Sequence, residues 1–384
     1  MVYASGVVPL VPPYIEQLQP YEPGRSAEEI RRRYRLTHVI KLASNENPLG
    51  PSPLAVEAIR GAAANVHLYP QGGLLLREAL AERYRVKVEN VIAGSGSDSI
   101  IAAIVRTFLC DNDEILTTEA AFGGFQVIAK SRGVPYKTVP YRNWHYDLDA
   151  LAGAVTERTK IIYLANPNNP TGTIFTRDEF ERFYKHIPER VLVILDEAYF
   201  EYAKGNPRYP DSMHYRLDNV ITLRTFSKVY GLAGLRVGYG FAHEDLIRSL
   251  LKVKMPFEPG HLAECGALAA LHDDAFVQRS IELNAQGMRR VPDELRARGI
   301  HVVPSEANFV MAVFESAEQA RAFSGGLLER GVILRPLASF GLPQCVRITI
   351  GTEADNAWFM TVLNQLQGLS ESALINATCA LSTI

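Results

Sequence analysis

The stretch "TLRTFSKVYGLAGLRVGYG", residues 222–240, combines the residue types of a reactive anion-binding site. Its single lysine, Lys228, directly follows Ser227, and Arg236 comes eight residues later among four glycines. A lysine in a crowded, partly dry site loses basicity and becomes a usable nucleophile and base. Ser227 and Arg236 suit an anion, because a guanidinium grips a phosphate with two hydrogen bonds. The stretch therefore predicts a reactive lysine beside a phosphate site.

Two further segments place polar residues directly after short apolar, β-branched runs. "AGSGSDS" follows "NVI", and its Ser97 and Asp98 would stand at a helix N-terminus, where free N–H groups bind anions. The alternative for this turn is a simple N-cap at Asp98 or Ser99. "ANPNNPTGT" follows "KIIYL", and its two Asn-Pro steps predict a rigid loop that presents Asn169 as a fixed side-chain donor.

A buried acid is predicted in "LDEAYFEY", which ends the strongly apolar run "VLVIL". A carboxylate there is costly to bury unless a cation pairs with it, so Asp196 is the candidate, with Tyr199 three residues later. The alternative is that Asp196 only caps a helix. Together the segments describe one ligand with a phosphate, a basic ring nitrogen held by Asp196, and an aldehyde that meets Lys228. Pyridoxal 5'-phosphate has these groups, and a lysine Schiff base with an acidic ring partner is its usual site.

The elements that would position these residues form an α/β pattern. Apolar runs such as "NVIAGS", "DEILTTE" and "NVITLRTFS" alternate with helical patterns such as "PLAVEAIRGAAA" and "DSIIAAIVRTFL". The alternation predicts βαβ units and a mostly parallel sheet, starting with the run "VIKLAS". Ligands of such sheets gather beyond the carboxyl ends of the strands, where the polar segments lie.

The domain organisation is predicted from a change of pattern near residue 255. "MPFEPGHLAE" is a proline-marked break, and an α+β pattern follows it. We expect a large cofactor-binding domain over 41–255 and a smaller domain over 256–368. Residues 1–40 would form an arm and part of the small domain, and residues 369–384 a tail.

Composition excludes several classes of protein. The 384 residues carry a net charge of −2, and the four cysteines form no CxxC motif, so neither a metal site nor a disulfide framework is expected. The basic run "RRRYR" reads as a solvated helix face, with a nucleic-acid patch as the alternative. The N-terminus lacks the pattern of a signal peptide, and no apolar run approaches a membrane span. We expect a soluble cytoplasmic protein that binds neither nucleic acid nor membrane.

The order of the motifs carries a family resemblance. "NENPLGPSP", "YP", "GSGSDS", "NPNNPTG", "LDEAYFEY", "TFSKVYGLAGLRVGYG", "ANFV" and "RITIGT" follow one another over residues 12–365. The chain thereby resembles the fold type I aminotransferases, and more closely the histidinol-phosphate aminotransferases. The resemblance implies a large mostly parallel-sheet domain with a smaller α+β domain, pyridoxal 5'-phosphate as cofactor, and a homodimer with shared active sites.

The resemblance also implies roles for the cofactor-binding residues. Lys228 would carry the cofactor and move the substrate proton, and Asp196 would pair with the ring nitrogen. Asn169 and Tyr199 would bond the ring oxygen. The phosphate would be held by Ser97, Asp98, Ser227 and Arg236, with Thr225 as a further hydroxyl. Phe122 would cover the ring, with core packing as its alternative, and Tyr69 would reach the neighbouring subunit's phosphate.

At the substrate end, the resemblance points to arginines. Arg347, in "VRITIGT", stands among apolar residues on an alternating strand, and Arg335, in "VILRP", is its neighbour candidate, with a surface ion pair as the alternative. Tyr21 and Asn308 match supporting residues of the family, and Asn169 would also face the substrate. Two departures bear on this end, a loop one residue short after Tyr69 and a histidine at position 261, which we interpret as exposed or helix-capping.

The reaction implied by the resemblance is the exchange of L-histidinol phosphate and 2-oxoglutarate for imidazole acetol phosphate and L-glutamate, in L-histidine biosynthesis. An aromatic amino-acid aminotransferase and a threonine-phosphate decarboxylase share the cofactor residues and remain alternatives. A regulator with an aminotransferase-like sensor domain is disfavoured, because such a regulator carries an attached DNA-binding domain that this sequence does not show.

Overall fold

A seven-stranded sheet forms the centre of the computed structural model, which describes residues 10–20 and 24–366. Its strands are numbered with those of two smaller sheets. In chain order they are β1 (Ile40–Lys41), β2 (Val91–Gly94), β3 (Glu114–Thr118), β4 (Tyr136–Val139), β5 (Thr159–Ala165), β6 (Leu192–Asp196), β7 (Val220–Thr225), β8 (Gly238–Phe241), β9 (His301–Val303), β10 (Phe309–Val313), β11 (Val332–Ile333), β12 (Arg335–Pro336) and β13 (Cys345–Thr349).

The α-helices of the described chain pack around these sheets. They include α1 (Pro13–Glu16), α2 (Ala27–Tyr34), α3 (Pro53–Ala62), α4 (Leu74–Tyr84), α5 (Gly96–Phe108), α6 (Gly123–Lys130), α7 (Leu148–Gly153), α8 (Arg177–Tyr184), α9 (Phe200–Ala203), α10 (Glu244–Leu251), α11 (His261–Leu271), α12 (Asp274–Arg296) and α13 (Ala317–Leu328), and a further helix begins at residue 353. Within the same residues, no helix combines the length and the apolar character that crossing a membrane requires.

The central sheet has the strand order β2-β8-β7-β6-β5-β3-β4. Its pairs are parallel except those of β8, which runs antiparallel to β2 and β7. Every residue of β6 is buried, as expected for a strand covered on both faces by helices. The predicted α/β fold with a mostly parallel sheet is therefore confirmed.

Three neighbouring strands of this sheet end at one edge, and polar residues lie at or soon after their ends. β5 ends at Ala165, directly opposite Asp196 at the end of β6, and Asp196 in turn lies opposite Leu223 of β7. Because the three strands are parallel, the segments that follow them leave the sheet side by side. This edge brings together Asn169, Asp196 and Lys228, which are distant in sequence.

The smaller sheets belong to a second core. The order β12-β13-β10-β9 is antiparallel throughout, and Val302, Val310 and Ile348 of its strands pack against residues of α12 and α13. The run "VIKLAS", predicted as the first strand of the alternating set, contributes only β1, which pairs with β11 instead of the central sheet. The reason is burial, because Ile40 and Leu42 complete the apolar cluster of the second core.

The division into domains at residues 40, 255 and 368 stays a prediction. One contact bears on where the boundary lies. Helix α11 packs closely on α3, and its alanines join the core cluster that includes Phe226 and Tyr239 beside the central sheet.

Candidate active site

A cavity at the carboxyl edge of the central sheet collects most of the side chains that the sequence singled out. It lies between this sheet and the segments that lead to the smaller sheets, and Asn45, Tyr163 and Ala198 also line it. The predicted residues that line it are Ser97, Asp98, Phe122, Asn169, Asp196, Tyr199, Thr225, Ser227, Lys228, Arg236, Arg335 and Arg347.

Asp196 is the buried acid of this cavity. It is only 5% exposed, and its carboxylate accepts hydrogen bonds from the Tyr163 hydroxyl at 2.6 Å and the Ala198 N–H at 3.1 Å. Burial raises the pKa of Asp196 to about 6, although both hydrogen bonds act to lower it. Among the described residues it forms no ion pair, so a cationic N–H group of a ligand would relieve the cost of its burial.

An anion cradle lies at the start of α5. The Arg236 guanidinium donates to the Ser227 hydroxyl at 3.4 Å and to the Asp98 carboxylate at 3.1 Å. Gly96 begins the helix at φ +79°, and a Cβ there would lie 2.6 Å from Nη2 of Arg236. A Cβ on Gly238 would lie 2.4 Å from the Ser97 N–H nitrogen, so both glycines are needed for the turn and the arginine to approach.

The geometry separates the contributions of the residues in this cradle. Arg236 and the free N–H groups at the helix start carry positive charge and dipole, so they attract a phosphate. The Asp98 carboxylate repels an anion and instead pairs with Arg236. Asp98 could therefore bind a phosphate only through its backbone N–H. The phosphate-binding roles of Ser97, Asp98, Thr225 and Ser227 stay predictions.

Lys228 enters the cavity from the loop after β7. Its Nζ lies 5.5 Å from the centre of the Tyr199 ring, and in the described chain no carboxylate lies within ion-pair distance of it. Tyr199 is buried, and its hydroxyl accepts a hydrogen bond from the Asn45 amide at 2.8 Å. The lysine and the Asp196 carboxylate therefore approach the same space from neighbouring strands.

Arg347 fixes the orientation of Asn169 on the far side of the cavity. Its guanidinium, 6% exposed, donates to Oδ1 of Asn169 at 2.6 Å and to the Ala43 carbonyl at 2.8 Å. Because a guanidinium only donates, the Asn169 oxygen must face Arg347, and its NH₂ group is directed elsewhere. The role of Asn169 as a donor to a ligand stays a prediction.

Comparison with known proteins identifies the family. Residues 37–363 match the profile of the family described as aminotransferase class I and II. The chain belongs to the class I and II aminotransferases. It is 44% identical to the histidinol-phosphate aminotransferase of Anaeromyxobacter sp. (strain Fw109-5), over 94% of this chain and 100% of that one. The enzyme of the same name from Moorella thermoacetica is 43% identical over 92% of both chains.

Solved structures give the same result for this aminotransferase. The crystal structure of histidinol-phosphate aminotransferase from Sinorhizobium meliloti, in complex with pyridoxal-5'-phosphate, superposes with a TM-score of 0.84 at 28% identity, covering 94% of this chain and all of that one. Aspartate aminotransferase from Thermus thermophilus, at 21% identity, shares the fold with a TM-score of 0.80. The resemblance read from the motifs is confirmed.

The cavity of this aminotransferase fits pyridoxal 5'-phosphate, the cofactor of the family. Asp196 is a buried carboxylate suited to the protonated ring nitrogen, and Lys228 is a lysine suited to the aldehyde. Arg236 and the start of α5 offer a positively charged site for the phosphate. Gly96 and Gly238 line this site closely, and neither position has room for a Cβ atom. The protein is therefore a pyridoxal-phosphate-dependent transaminase.

Two predicted residues of the aminotransferase, Asn308 and Tyr69, do not line the cavity. Asn308 is buried behind the cavity, where its amide donates to the Asn45 carbonyl at 3.1 Å. Tyr69 is 81% exposed and stacks on Phe257 with ring centres 4.4 Å apart. Tyr21 lies outside the described residues. His261, which we interpreted as exposed or helix-capping, is the partly buried first residue of α11.

Two residues of the site were missed from the sequence. Asn45 adopts a left-handed φ of 54°, is 1% exposed, and joins Tyr199 to Thr349 through hydrogen bonds. It stands in the quoted motif "NENPLGPSP", which was the available signal. Tyr163 holds Asp196 from β5, and a lone hydroxyl in the apolar run "KIIYL" could have indicated it.

Proposed function

We propose that this aminotransferase exchanges L-histidinol phosphate and 2-oxoglutarate for imidazole acetol phosphate and L-glutamate, in L-histidine biosynthesis. The observation that carries the proposal is the presence of two arginines, Arg335 and Arg347, in the cavity that holds Lys228 and Asp196. The names of relatives that are 39–44% identical over more than nine-tenths of the chain support the same substrate.

The residues divide the chemistry between two walls of the cavity. Pyridoxal phosphate, when bound, supplies a ring that accepts electrons from the substrate carbon. Asp196 keeps a positive charge on the ring nitrogen, because a buried carboxylate favours a protonated partner. The Lys228 amine takes the proton from the substrate Cα, as a general base on a loop that can reach it. Tyr199 and the Asn169 amide would contact the ring and help to orient it.

The two arginines would select the phosphate of the substrate. Arg347 is held rigidly by Asn169 and the Ala43 carbonyl, and it lies 5.2 Å from the centre of the Phe309 ring. Arg335 is the less buried of the two and lies on β12, directly opposite Arg347 of β13. Two guanidinium groups match a phosphate dianion, whereas the carboxylate of an amino acid needs one.

The same geometry defines the competing function. An aromatic amino-acid aminotransferase would use Arg347 for the substrate carboxylate and would leave Arg335 with little effect on binding. The comparison of kcat/KM between L-histidinol phosphate and L-phenylalanine, both with 2-oxoglutarate, separates the two functions. We expect the phosphorylated donor to be preferred.

The variant Arg335→Gln makes this test specific. Loss of one charged contact to the phosphate should lower kcat/KM for L-histidinol phosphate by about tenfold or more, and leave that for L-phenylalanine within about twofold. Arg321→Gln, an exposed arginine of α13, is the matched control and should change neither value. Equal losses for both donors in Arg335→Gln would contradict the proposed substrate.

We also propose a homodimer in which Tyr69 reaches the phosphate site of the partner subunit. Exposed large apolar side chains around the stacked pair of Tyr69 and Phe257 in the sequence support it, namely Leu68, Leu75 and Met255. Large side chains of this kind on one surface are typical of protein contacts. Sedimentation at micromolar concentration should give twice the monomer mass, and a monomer with full activity would contradict the shared site.

A cytoplasmic location completes the proposed function. Cys110, Cys265 and Cys345 are free thiols, which is usual in a reducing compartment. Fractionation of the source cells should recover the activity with the cytoplasmic enzymes.

A further inference from the structure

A fully buried ion pair lies behind the cavity, on the side away from the predicted ligand. The Arg224 side chain is 0% exposed and that of Glu197 is 2% exposed. Nε and Nη2 of Arg224 donate to the same oxygen of Glu197 at 2.9 and 2.7 Å, and Nη2 also donates to Asp211 at 2.9 Å. The other Glu197 oxygen accepts from the Ser212 N–H at 3.1 Å. Both oxygens of the glutamate are therefore used.

The pair connects the strands that carry the active-site residues. Glu197 directly follows Asp196, and its N–H donates to the Leu223 carbonyl of β7 at 2.8 Å. Arg224 lies on β7, directly before its last residue, Thr225. The loop that carries Lys228 follows this strand, and Ser227 in that loop comes three residues after Arg224. Asp196, the last residue of β6, lines the cavity, whereas the side chain of Glu197, one residue beyond the strand, lies in the ion pair.

A third segment is joined through an aromatic ring. The Arg224 guanidinium carbon lies 3.4 Å from the centre of the Phe200 ring, and Phe200 begins α9 directly after Tyr199. A planar guanidinium stacks on such a ring while its edge remains free to donate. The Arg224 side chain thus contacts Glu197, which follows Asp196, and Phe200, which follows Tyr199. Arg224 itself belongs to the strand that leads to Lys228.

We infer that Arg224 and Glu197 are positioning residues, which fix the relative placement of Asp196, Tyr199 and Lys228 without contacting the cofactor. A buried ion pair contributes little net stability, because desolvating two charges offsets their attraction. Its hydrogen bonds instead tie the residue that follows the end of β6 to the end of β7. Displacement of a supporting contact of this kind weakens a site that depends on alignment. The inference does not depend on which amino donor the enzyme uses.

Two variants test the inference on the cofactor-loaded enzyme. Glu197→Gln keeps the shape of the side chain and removes the charge that orients Arg224. We expect the dissociation constant of the cofactor to rise by about tenfold or more. At saturating cofactor, kcat should fall by a similar factor. KM for both substrates should stay within about twofold, because Arg335 and Arg347 lie on the other sheet.

The double variant Arg224→Met/Glu197→Leu separates position from stability. Apolar residues of similar volume commonly restore the stability of a buried pair, so its melting temperature should approach that of the wild type. We expect kcat and cofactor affinity to stay as low as in Glu197→Gln, because no hydrogen bond then sets the strand ends. This variant decides the question if Glu197→Gln does not fold.

The control is a buried carboxylate with a cationic partner far from the cavity. Glu114 begins β3, is 1% exposed, and pairs with Lys137 at 2.7 Å. Glu114→Gln should lower the melting temperature and leave kcat and cofactor affinity unchanged. The inference is overturned if either variant at Glu197 retains wild-type kcat and cofactor affinity while only its melting temperature falls.

Discussion

Replacing Asp196 by asparagine should stabilise the cofactor-free protein at high pH while it abolishes activity. The carboxylate is 5% exposed and has no cationic partner among the described residues, and its pKa rises from 3.8 to about 6 on folding. At about 1.4 kcal/mol for each pKa unit, the buried charge costs the folded state about 3 kcal/mol above pH 6.

The sign of the effect follows from proton linkage. Between pH 4 and 6 the folded state binds the proton more tightly than the unfolded state does, so stability falls as pH rises through this window. Asparagine removes the charge, but Tyr163 and Ala198 donate to different oxygens of the carboxylate, and the amide replaces only one of these two acceptors. The lost hydrogen bond costs about 1 kcal/mol. We therefore expect Asp196→Asn to be about 2 kcal/mol more stable than wild type at pH 8.

Urea unfolding of the cofactor-free proteins at pH 8 and pH 4.5 is the assay. At pH 4.5 the carboxyl is largely protonated in the folded state but largely ionised in the unfolded state, so the cost of the buried charge falls to about 1 kcal/mol. This offsets the lost hydrogen bond, and the variant and the wild type should then be about equally stable. Asp149→Asn, at a half-exposed surface position, is the control and should change stability by less than about 0.5 kcal/mol at either pH. A variant less stable than wild type at pH 8 would refute the assignment of Asp196 as a strained, ligand-dependent carboxylate.

Three further substitutions test individual parts of the site. Lys228→Ala removes the proton acceptor and should lower turnover by at least about 10³-fold. Stopped-flow measurement of product is the assay, and retained transamination would contradict the mechanism. Gly96→Ala forces a Cβ to 2.6 Å from Arg236 at a positive φ, so a cofactor titration should show weaker binding, whereas Gly234→Ala, which meets nothing within 4 Å, should bind normally. Arg347→Gln also loses the bond that orients Asn169, and it should raise KM for the amino donor more than it changes cofactor affinity, as steady-state kinetics would show.

The convergence of the site was predictable because it follows from strand direction. Asn169, Asp196 and Lys228 each come just after an apolar run, and parallel strands bring such positions to one edge. The residue types then identified the ligand, since a phosphate, a ring nitrogen and an aldehyde need different partners. The fold class needed only the alternation of strands and helices.

Contacts between distant segments were not predictable in the same way. Asn45 bonds Thr349 across 304 residues, and nothing local to either residue indicates that the chain returns there. Arg224 appeared as one charge within a strand, and only the structure shows its guanidinium buried against Glu197. The prediction that the run "VIKLAS" forms a strand of the central sheet was wrong, because an apolar pattern indicates that a strand is buried and does not indicate which sheet buries it. In our proposal Tyr69 contacts the phosphate site of another subunit, and such a contact is formed only in the dimer.

The most direct test of the central claim follows the visible absorption of the purified, cofactor-loaded protein during one half-reaction. L-histidinol phosphate and L-phenylalanine are added to separate samples without any keto acid. We predict rapid loss of the absorption band with L-histidinol phosphate and slow loss with L-phenylalanine. Equal or faster loss with L-phenylalanine would contradict the substrate, and a protein that shows no band even after cofactor is added would contradict the active site itself.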